Sequence, residues 1–329
     1  MNSCGHLFYV IKKFKSVRRN LLLLVFGLMG ISDLCGQTPD SVFLFAYFKN
    51  NGEDGLHFAY TEDGYKCTAL KSDSSFLKPT VSKDKLMRDP CIIRDRDGNF
   101  RMVWTVSWND KGIGYANSKD LVHWSDQQFI PVMSHEPDVR NCWAPEIFYD
   151  DGIYMIYWAS TITGRFPETD SEGDSKYNHR MYYVTTKDFK TFSKAALLYD
   201  KGFNVIDATI QKNGGKYFMY VKDETRYPPQ KNIRVAISSK LTGGYSKPSA
   251  AITGDYWAEG PTVIKKGNTW LMYFDKYMLH KYGMLESKDL IHWNDVSEKL
   301  EVPAGLRHGT VLKISRKELD VVRASSPAL

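Results

Sequence analysis

The sequence predicts an all-β fold, specifically a five-bladed β-propeller in which the N- and C-terminal strands together close one blade. Three observations support this prediction. A strand-turn-aromatic repeat occurs five times, a hairpin-like repeat lies between its copies, and the composition is that of strands and turns. Of the 329 residues, 43% are hydrophobic and 14% are aromatic, and they cluster in short runs separated by Gly, Asn, Asp and Lys. A chain of this length can bury a sizeable core.

The first repeat is a strand that ends in a polar turn followed by an aromatic residue. Its copies are LHFAYTEDGY at 56, IGYANSKDLVHW at 113, MYYVTTKDFKTF at 181, IRVAISSKLTGGY at 233 and YGMLESKDLIHW at 282. Aligned on Thr61, Ser118, Thr186, Ser239 and Ser287, the copies are 57, 68, 53 and 48 residues apart. Repeats of short strands at this spacing are typical of a radial array of antiparallel sheets, so five copies predict five blades.

The second repeat reads as a short strand, a glycine-containing turn and a second strand. It occurs as RDPCIIRDRDGNFRMVWTV, APEIFYDDGIYMIYWAS, DATIQKNGGKYFMYVKD and EGPTVIKKGNTWLMYFDK. A fifth first strand, HGTVLKI from His308, has its partner in SVFLFAYF from Ser41, so both ends of the chain are predicted to build one blade with residues 308–314 innermost. No linker or change of composition divides residues 37–329, which are predicted to form a single domain.

Residues 1–36 are predicted to be a signal peptide. A basic segment precedes an apolar run, residues 21–31, that is too short to cross a bilayer comfortably. The alternative is a short membrane anchor. We therefore expect the protein to be exported to the periplasm or the extracellular space, with no stable membrane insertion after signal cleavage.

The charge and the cysteines exclude several function classes. Residues 1–36 carry five basic residues and one acidic residue, so the formal net charge of +6 falls to about +2 without them. This charge gives no support to nucleic-acid binding. Beyond residue 36, Cys67, Cys91 and Cys142 have no metal-ligand spacing. The sequence also contains no HExxH, GxSxG, phosphate-loop or dinucleotide motif.

Acidic residues and a histidine mark the start of the first strand in four blades: Asp89, Asp207, Glu259 and His308. The first strand of each propeller blade lines the central channel, so these side chains are predicted to meet at one mouth of it. One aspartate there could simply form a turn, but four polar residues at one repeat position predict a shared site. Carboxylates around a small pocket suit glycoside hydrolysis, in which one acid protonates the leaving oxygen and another carboxylate activates water or attacks directly. Burial and like charges raise the pKa of the least solvated acid, which makes that acid the proton donor.

Aromatic residues near these acids are predicted to supply flat faces for a sugar. Trp143 and Trp257 are the principal substrate-binding candidates, and Trp108 and Tyr277 are further ones. Arg307, next to His308, completes this set.

Glu146 lies in the inner strand of the second blade, about one residue deeper than the other acids. Because a shift of one residue changes the face of a strand, we expect Glu146 to contact the substrate or a polar network and not to be catalytic. The polar stretch 161–180 either overhangs the pocket as a specificity loop or is a solvated loop without a role.

The motifs MRDP, WAPEI, VIDAT, AEGP and HG, in this order across five blades, resemble glycoside hydrolase family 43. The resemblance covers nearly all of residues 37–329 and implies an inverting enzyme with three acids. It assigns Asp89 as the general base, Asp207 as the residue that orients the acid and tunes its pKa, and Glu259 as the general acid. His308 would lie near the channel axis, where some members hold a water-coordinated Ca²⁺, although no cofactor is required. The motif IDAT departs from the commonest pattern, in which proline follows the aspartate.

The family contains exported α-L-arabinofuranosidases, β-xylosidases, arabinanases and some galactan-active enzymes. We therefore expect an exo-acting hydrolase that removes terminal sugars, foremost α-L-arabinofuranose and alternatively xylose or galactose, from plant polysaccharides or oligosaccharides. The other function class is a non-catalytic sugar-binding propeller. The presence of all three acids favours the enzyme.

Overall fold

The strands of the computed structural model form five small antiparallel sheets, one for each predicted blade. The structure describes residues 41–172 and 176–325, so the predicted signal peptide lies outside the described residues. In chain order the strands are β1 (Ser41–Tyr47), β2 (His57–Thr61), β3 (Thr68–Ala69), β4 (Arg88–Arg94), β5 (Phe100–Thr105), β6 (Ile113–Ser118), β7 (Gln128–Ile130), β8 (Trp143–Asp150), β9 (Ile153–Ser160), β10 (Arg180–Thr186), β11 (Ala196–Tyr199), β12 (Val205–Asn213), β13 (Lys216–Asp223), β14 (Asn232–Ser238), β15 (Glu259–Lys266), β16 (Thr269–Lys276), β17 (Lys281–Ser287), β18 (Trp293–Asp295) and β19 (Thr310–Ser315). Short 3-10 helices include Lys71–Asp73, Pro167–Glu172, Tyr277–Leu279 and Ser297–Lys299.

The sheets are arranged around a central channel. From the channel outward, their strand orders are β19-β1-β2-β3, β4-β5-β6-β7, β8-β9-β10-β11, β12-β13-β14 and β15-β16-β17-β18. Inner strands touch in the circular order β4, β8, β12, β15, β19 and back to β4. The predicted five-bladed propeller is confirmed.

The two ends of the chain close one blade, as the sequence predicts. Strand β19 pairs antiparallel with β1, from Ser41 opposite Ser315 to Ala46 opposite Thr310. This closure removes the open sheet edges that a linear array of strands would leave exposed.

The hydrophobic core is divided into five clusters, and each cluster fills the space between two neighbouring blades. Leu44 of the closing blade, for example, packs in the same cluster as Trp104 of the next blade. Burying a side chain such as leucine contributes about 1.5–3 kcal/mol relative to its exposure to water. The core therefore fixes each blade against its neighbours and holds the inner strands at defined positions around the channel.

The turns of the first repeat are built around a hydroxyl side chain at the end of the third strand. Ser118 Oγ accepts a hydrogen bond from the backbone N–H of Leu121 at 2.9 Å. In the fourth copy, Ser238 ends β14 and its Oγ accepts from the backbone N–H of Lys240 at 2.9 Å. The alignment on Ser239 is therefore wrong by one residue, because the hydroxyl that closes this turn belongs to Ser238.

An α-helix that the strand repeats do not predict follows the last strand. Helix α1 (Arg316–Ala324) begins with a capping box in which Ser315 accepts from the backbone of Glu318 while the Glu318 side chain accepts from the backbone of Ser315. Leu319 and Val322 are buried against the cluster beside the closing blade. Among the described residues, no helix is long and apolar enough to cross a membrane.

A bulge recurs near the start of four inner strands, and it determines which side chains reach the channel mouth. Pairing with the second strand shifts register after Arg88, Trp143, Ile206 and Glu259. The next residue has a left-handed backbone in each case: Asp89 (φ 50°), Ala144 (φ 46°), Asp207 (φ 53°) and Gly260 (φ 59°). A bulge re-aims the side chains around it, and for residues other than glycine this conformation costs about 1–2 kcal/mol. Strain of this kind is concentrated at functional sites.

Candidate active site

A cavity of about 230 Å³ opens where the inner strands begin. This volume is below the range of about 300–1,000 Å³ typical of pockets for drug-sized ligands, and it suits a single sugar ring. Six of the eight residues predicted for the site line it: Asp89, Trp143, Asp207, Glu259, Arg307 and His308. The sequence thus brings residues from five blades to one concave surface.

Asp89 is held ionised by two partners. Thr105 donates its hydroxyl to Asp89 Oδ2 at 2.8 Å, and His308 Nδ1 lies 3.4 Å from Asp89 Oδ1. Burial alone would raise the pKa of Asp89, but the hydrogen bond and positive charge of His308 outweigh burial and lower it. A carboxylate in this state can accept a proton from water.

Asp207 has the opposite protonation tendency. Its Oδ2 accepts a hydrogen bond from the backbone N–H of Gly260 at 3.1 Å. Burial, reinforced by the charges of Glu259 and Asp89, raises the pKa of Asp207 to about 6 although His308 and a nearby lysine oppose this shift. Asp207 therefore holds a proton at mildly acidic pH.

Glu259 is bound by two cations. Lys222 Nζ lies 3.0 Å from Glu259 Oε2, and Arg307 Nη2 lies 3.1 Å from Glu259 Oε1. Burial favours the protonated form, but the charge and hydrogen bond of Lys222 and the charge of Arg307 lower the pKa of Glu259. Lys222 also contacts Glu224 at 2.7 Å, and Arg307 also contacts Asp275 at 2.6 Å.

Glu259 thus departs from two expectations. It lies one residue before the left-handed position of its strand, which Gly260 occupies, so it does not share the repeat position of Asp89 and Asp207. Its pKa is also lowered, whereas the expected proton donor has a raised pKa. In the free cavity the raised pKa belongs to Asp207, because Asp207 has no lysine or arginine within ion-pair distance among the described residues.

His308 is the positively charged centre of the site. Burial by itself would lower the pKa of His308, but the hydrogen bond to Asp89 and the charges of Asp207, Asp89 and Glu146 raise it to about 9. A protonated imidazole has no lone pair for a metal, and its charge already offsets the surrounding carboxylates. Within the described ranges, no group of three or more His, Cys, Asp or Glu side chains has a metal-binding arrangement. These observations disfavour direct ligation of a metal by His308; a calcium ion held through water, as the resemblance implies, stays a prediction.

The aromatic wall of the cavity consists of Trp108, Trp143 and Tyr277. Trp108 and Trp143 meet edge to face with ring centroids 5.4 Å apart, and Trp143 Nε1 donates to the Trp108 carbonyl at 3.0 Å. Trp257 does not line the cavity, contrary to expectation. Its ring packs against Tyr277 at 5.9 Å and under Arg226 at 4.7 Å, so Tyr277 presents the flat face that Trp257 supports.

Glu146 does not line the cavity either. The expected offset of about one residue is wrong: Ala144 is the equivalent of Asp207, and Glu146 lies two residues past Ala144, so Glu146 reaches the channel below the site. Tyr157 donates to Glu146 Oε2 at 2.8 Å, and burial raises the pKa of Glu146 to about 7. Of the two expected roles, this geometry fits the contact within a polar network, because Glu146 adds negative charge near His308.

The polar stretch 161–180 is anchored to the propeller in its described part. Arg180 is fully buried and contacts Asp200 at 2.5 Å and Thr169 at 2.8 Å. The Tyr177 ring lies 4.7 Å from the Trp143 ring. The stretch therefore contacts the aromatic wall through Tyr177.

Sequence reasoning missed the second strands as a source of site residues. Thr105, Lys222 and Asp275 lie opposite Arg88, Ile206 and Glu259. The signal was present, since the hairpin repeats end in WTV, WAS, VKD and FDK, and three of these place a polar residue at one equivalent position. In a strand that should be buried, such a residue needs a partner, which the site provides.

Comparisons with known proteins agree with this architecture. An α-L-arabinofuranosidase from Bifidobacterium longum subsp. longum is 25% identical over 161 residues, which cover 42% of this chain and 15% of that protein. The solved structure of an α-L-arabinofuranosidase from Lactobacillus brevis matches with a TM-score of 0.52 at 20% identity, over 64% of this chain and 72% of that one. An endo-arabinase from Bacteroides thetaiotaomicron matches with a TM-score of 0.52 at 17% identity, over 70% of this chain and 85% of that one. The structural matches show a shared fold.

Residues 39–320 match the model of a protein family described as a probable glycosyl hydrolase domain. This match covers most of the chain and nearly all of its described part, including every inner strand. The resemblance of the five motifs to glycoside hydrolase family 43 is thereby confirmed. With its five blades, its shared cavity and this match, the chain belongs to the family of probable glycosyl hydrolase domains related to glycoside hydrolase family 43.

Proposed function

We propose that this protein is an exo-acting, inverting glycoside hydrolase that removes terminal α-L-arabinofuranose from plant polysaccharides or oligosaccharides. The observation that carries the proposal is the convergence of Asp89, Asp207 and Glu259 on one cavity, with Asp89 ionised and Asp207 able to hold a proton. The similarity to an α-L-arabinofuranosidase supports the choice of sugar. We further propose export through residues 1–36, which places the enzyme where such polysaccharides occur.

In the proposed reaction, Asp89 acts as the general base. Its carboxylate takes a proton from the water that attacks the anomeric carbon, and Thr105 and His308 hold it in place. Before the proton arrives, the imidazolium of His308 offsets the charge of Asp89; once Asp89 is neutral, the carboxyl groups of Asp207 and Glu146 still face the imidazolium. This step needs no cofactor.

Asp207 and Glu259 supply the proton for the leaving oxygen. One proton serves both carboxyl groups, since the charge of each disfavours ionisation of the other. Below about pH 6 this proton lies on Asp207, because Lys222 and Arg307 stabilise the anion of Glu259. We propose that Glu259 delivers the proton after the sugar has entered and weakened one of these ion pairs, and that Asp207 tunes this transfer.

The proposal is tested with aryl glycosides of α-L-arabinofuranose, β-D-xylopyranose and β-D-galactopyranose. We expect the arabinofuranoside to be hydrolysed fastest, with inversion visible by NMR in the first-formed sugar, and Asp89→Asn to abolish turnover. Faster cleavage of another glycoside would reassign the sugar. Binding of free sugars without hydrolysis of any substrate would identify a sugar-binding propeller instead.

Exo action is expected because the cavity is small and walled by Trp108, Trp143 and Tyr277. On branched and debranched arabinan, product analysis over time should show monosaccharide from the earliest samples. Early accumulation of oligosaccharides would instead identify an endo-acting enzyme.

Gly260 is expected to be essential for the position of His308. A Cβ atom at Gly260 would lie 2.3 Å from His308 Cγ, so Gly260→Ala must displace the imidazole that holds Asp89. Misplacing a catalytic group by about 1 Å can slow a reaction roughly 10²-fold, and we expect a loss of kcat/KM of this order.

Gly267→Ala is the matched control for this substitution. Gly267 has φ +56° against +59° for Gly260, and nothing lies within 4 Å of its added Cβ, so both variants carry the same backbone strain. Thermal unfolding of Gly267→Ala should report the backbone strain alone, Gly260→Ala should be destabilised further by the clash with His308, and kcat/KM should fall only in Gly260→Ala. Equal activity in the two variants would contradict the role given to His308.

A further inference from the structure

Arg88 differs from the other cationic side chains of the cavity. Lys222, Arg307 and His308 each lie within 4.0 Å of a carboxylate. Arg88 has no carboxylate within this distance among the described residues, although it lines the same cavity. Glu53 is close enough for Arg88 to contribute to its lowered pKa, but Glu53 hydrogen-bonds to Asn51.

Aromatic rings hold the Arg88 guanidinium in place. It lies 4.4 Å from the centre of the Trp108 ring and 4.8 Å from that of Phe48. Asn51 Oδ1 accepts from Arg88 Nη1 and from Trp108 Nε1, each at 3.0 Å. These contacts fix the guanidinium and shield its faces in part from water, and they occupy one of its five N–H donors.

The N–H groups of Arg88 that do not bind Asn51 are best suited to a carboxylate ligand. The planar guanidinium fork matches a carboxylate through two parallel hydrogen bonds, and these charge-assisted bonds are stronger than bonds to neutral hydroxyl groups. Asp89, the next residue, does not repel such a ligand strongly, because His308 neutralises it.

The position of Arg88 places this carboxylate beside the leaving group. Arg88 precedes the bulge of β4 and packs on Trp108, which is 42% exposed at the rim, whereas Asp207 and His308 are buried deeper. A single sugar in the cavity would occupy the deep end near these two residues. The sugar attached to it would then lie at the rim, within reach of Arg88.

We propose that Arg88 binds the carboxylate of a uronic acid on the leaving-group side, so that the preferred substrate is a terminal neutral sugar linked to an acidic one. This inference rests on the proposed function. It makes acidic plant polysaccharides the substrate class.

The test compares an arabinofuranosyl-uronic acid disaccharide with its carboxyl-reduced, neutral counterpart. Hydrogen bonds to charged groups contribute about 1.5–3 kcal/mol, so we expect kcat/KM to be at least about tenfold higher for the acidic substrate. Arg88→Gln should abolish this ratio and Arg88→Lys should retain part of it. Arg96→Gln, at a 65% exposed arginine near Asp97, should leave the ratio unchanged.

The outcomes separate this inference from the proposed function. Equal rates on the two disaccharides, or a preference that survives in Arg88→Gln, would overturn the role of Arg88 while leaving the hydrolase intact. Preferential cleavage of aryl uronides would put the carboxylate on the released sugar and overturn the leaving-group assignment. If neither disaccharide is hydrolysed, the proposed function fails, and calorimetric binding of the two disaccharides to wild type and Arg88→Gln still decides whether Arg88 binds the carboxylate.

Discussion

Glu259→Gln is expected to slow hydrolysis of substrates with poor leaving groups by roughly 10²–10⁴-fold, the contribution typical of general acid catalysis. Glutamine preserves the shape of the side chain but has no acidic proton for the leaving oxygen. An activated aryl group departs with little protonation, so its loss should be far smaller. The measurement is kcat for an arabinosyl disaccharide and for a nitrophenyl arabinofuranoside. Equal losses on both would show that Glu259 is not the donor.

Asp207→Asn is the matched comparison, because Asp207 has the raised pKa in the free cavity. Under the proposed roles, this substitution also slows the substrate with the poor leaving group more than the activated one, but less than Glu259→Gln does, since it changes the field at Glu259 without removing the group that touches the leaving oxygen. Should the dependence on the leaving group appear in Asp207→Asn and not in Glu259→Gln, Asp207 is the proton donor. Glu259 would then stay ionised and paired with Lys222 and Arg307 throughout the reaction.

The fold could be predicted because each blade repeats a local pattern. A hydroxyl-capped turn such as the one at Ser118 depends only on neighbouring residues, and it occurs in all five copies. The closing blade was predictable because the strand that follows His308 has no partner strand next to it in the sequence. The strand that begins at Ser41 has none either, so the two could be paired. Helix α1 lies outside the strand repeats and could not be predicted from them, although its start is marked in the sequence by Ser315 and Glu318, which form a capping box.

The site could be predicted only in part, because the bulges displace side chains by amounts that the motifs do not reveal. Asp89 and Asp207 occupy the left-handed position itself, while Glu259 precedes it. Trp257 follows the same aromatic pattern as Trp143 but supports another ring. Interactions between blades, such as the one between Lys222 and Glu259, join residues 37 positions apart and cannot be inferred from local pattern.

Lys222→Met is expected to have two large effects, because the Lys222 side chain is only 2% exposed and pairs with Glu259 and Glu224. Removing one partner of a buried ion pair leaves the other charge unpaired, which typically destabilises a protein by about 3–5 kcal/mol. Arg307 remains near Glu259 in the variant. Burial favours the protonated form of Glu259, and in the variant only the charge of Arg307, without that of Lys222, counteracts it. The pKa of Glu259 therefore rises.

The sign of the stability change with pH follows from this shift. In the wild type the lowered pKa of Glu259 stabilises the fold above the pKa of the unfolded chain, and this contribution is lost as the pH falls. In Lys222→Met the contribution weakens, and burial of the anion opposes folding as the pH rises. The difference in unfolding free energy between wild type and variant should therefore be larger at about pH 8 than at about pH 5. Denaturant unfolding at both values measures it.

The same shift should appear in the pH dependence of catalysis. The reaction needs one proton on Asp207 and Glu259, so wild-type kcat/KM should fall as the pH rises through about 6, the value to which burial raises the pKa of Asp207. Lys222 lowers the pKa of both acids, and removing it should move this fall to higher pH. Lys276→Met is the control, since Lys276 is mostly buried and lies 3.5 Å from Asp295, outside the cavity lining. If the fall moves equally in both variants, or moves to lower pH in Lys222→Met, then Lys222 does not set the protonation of the acid pair.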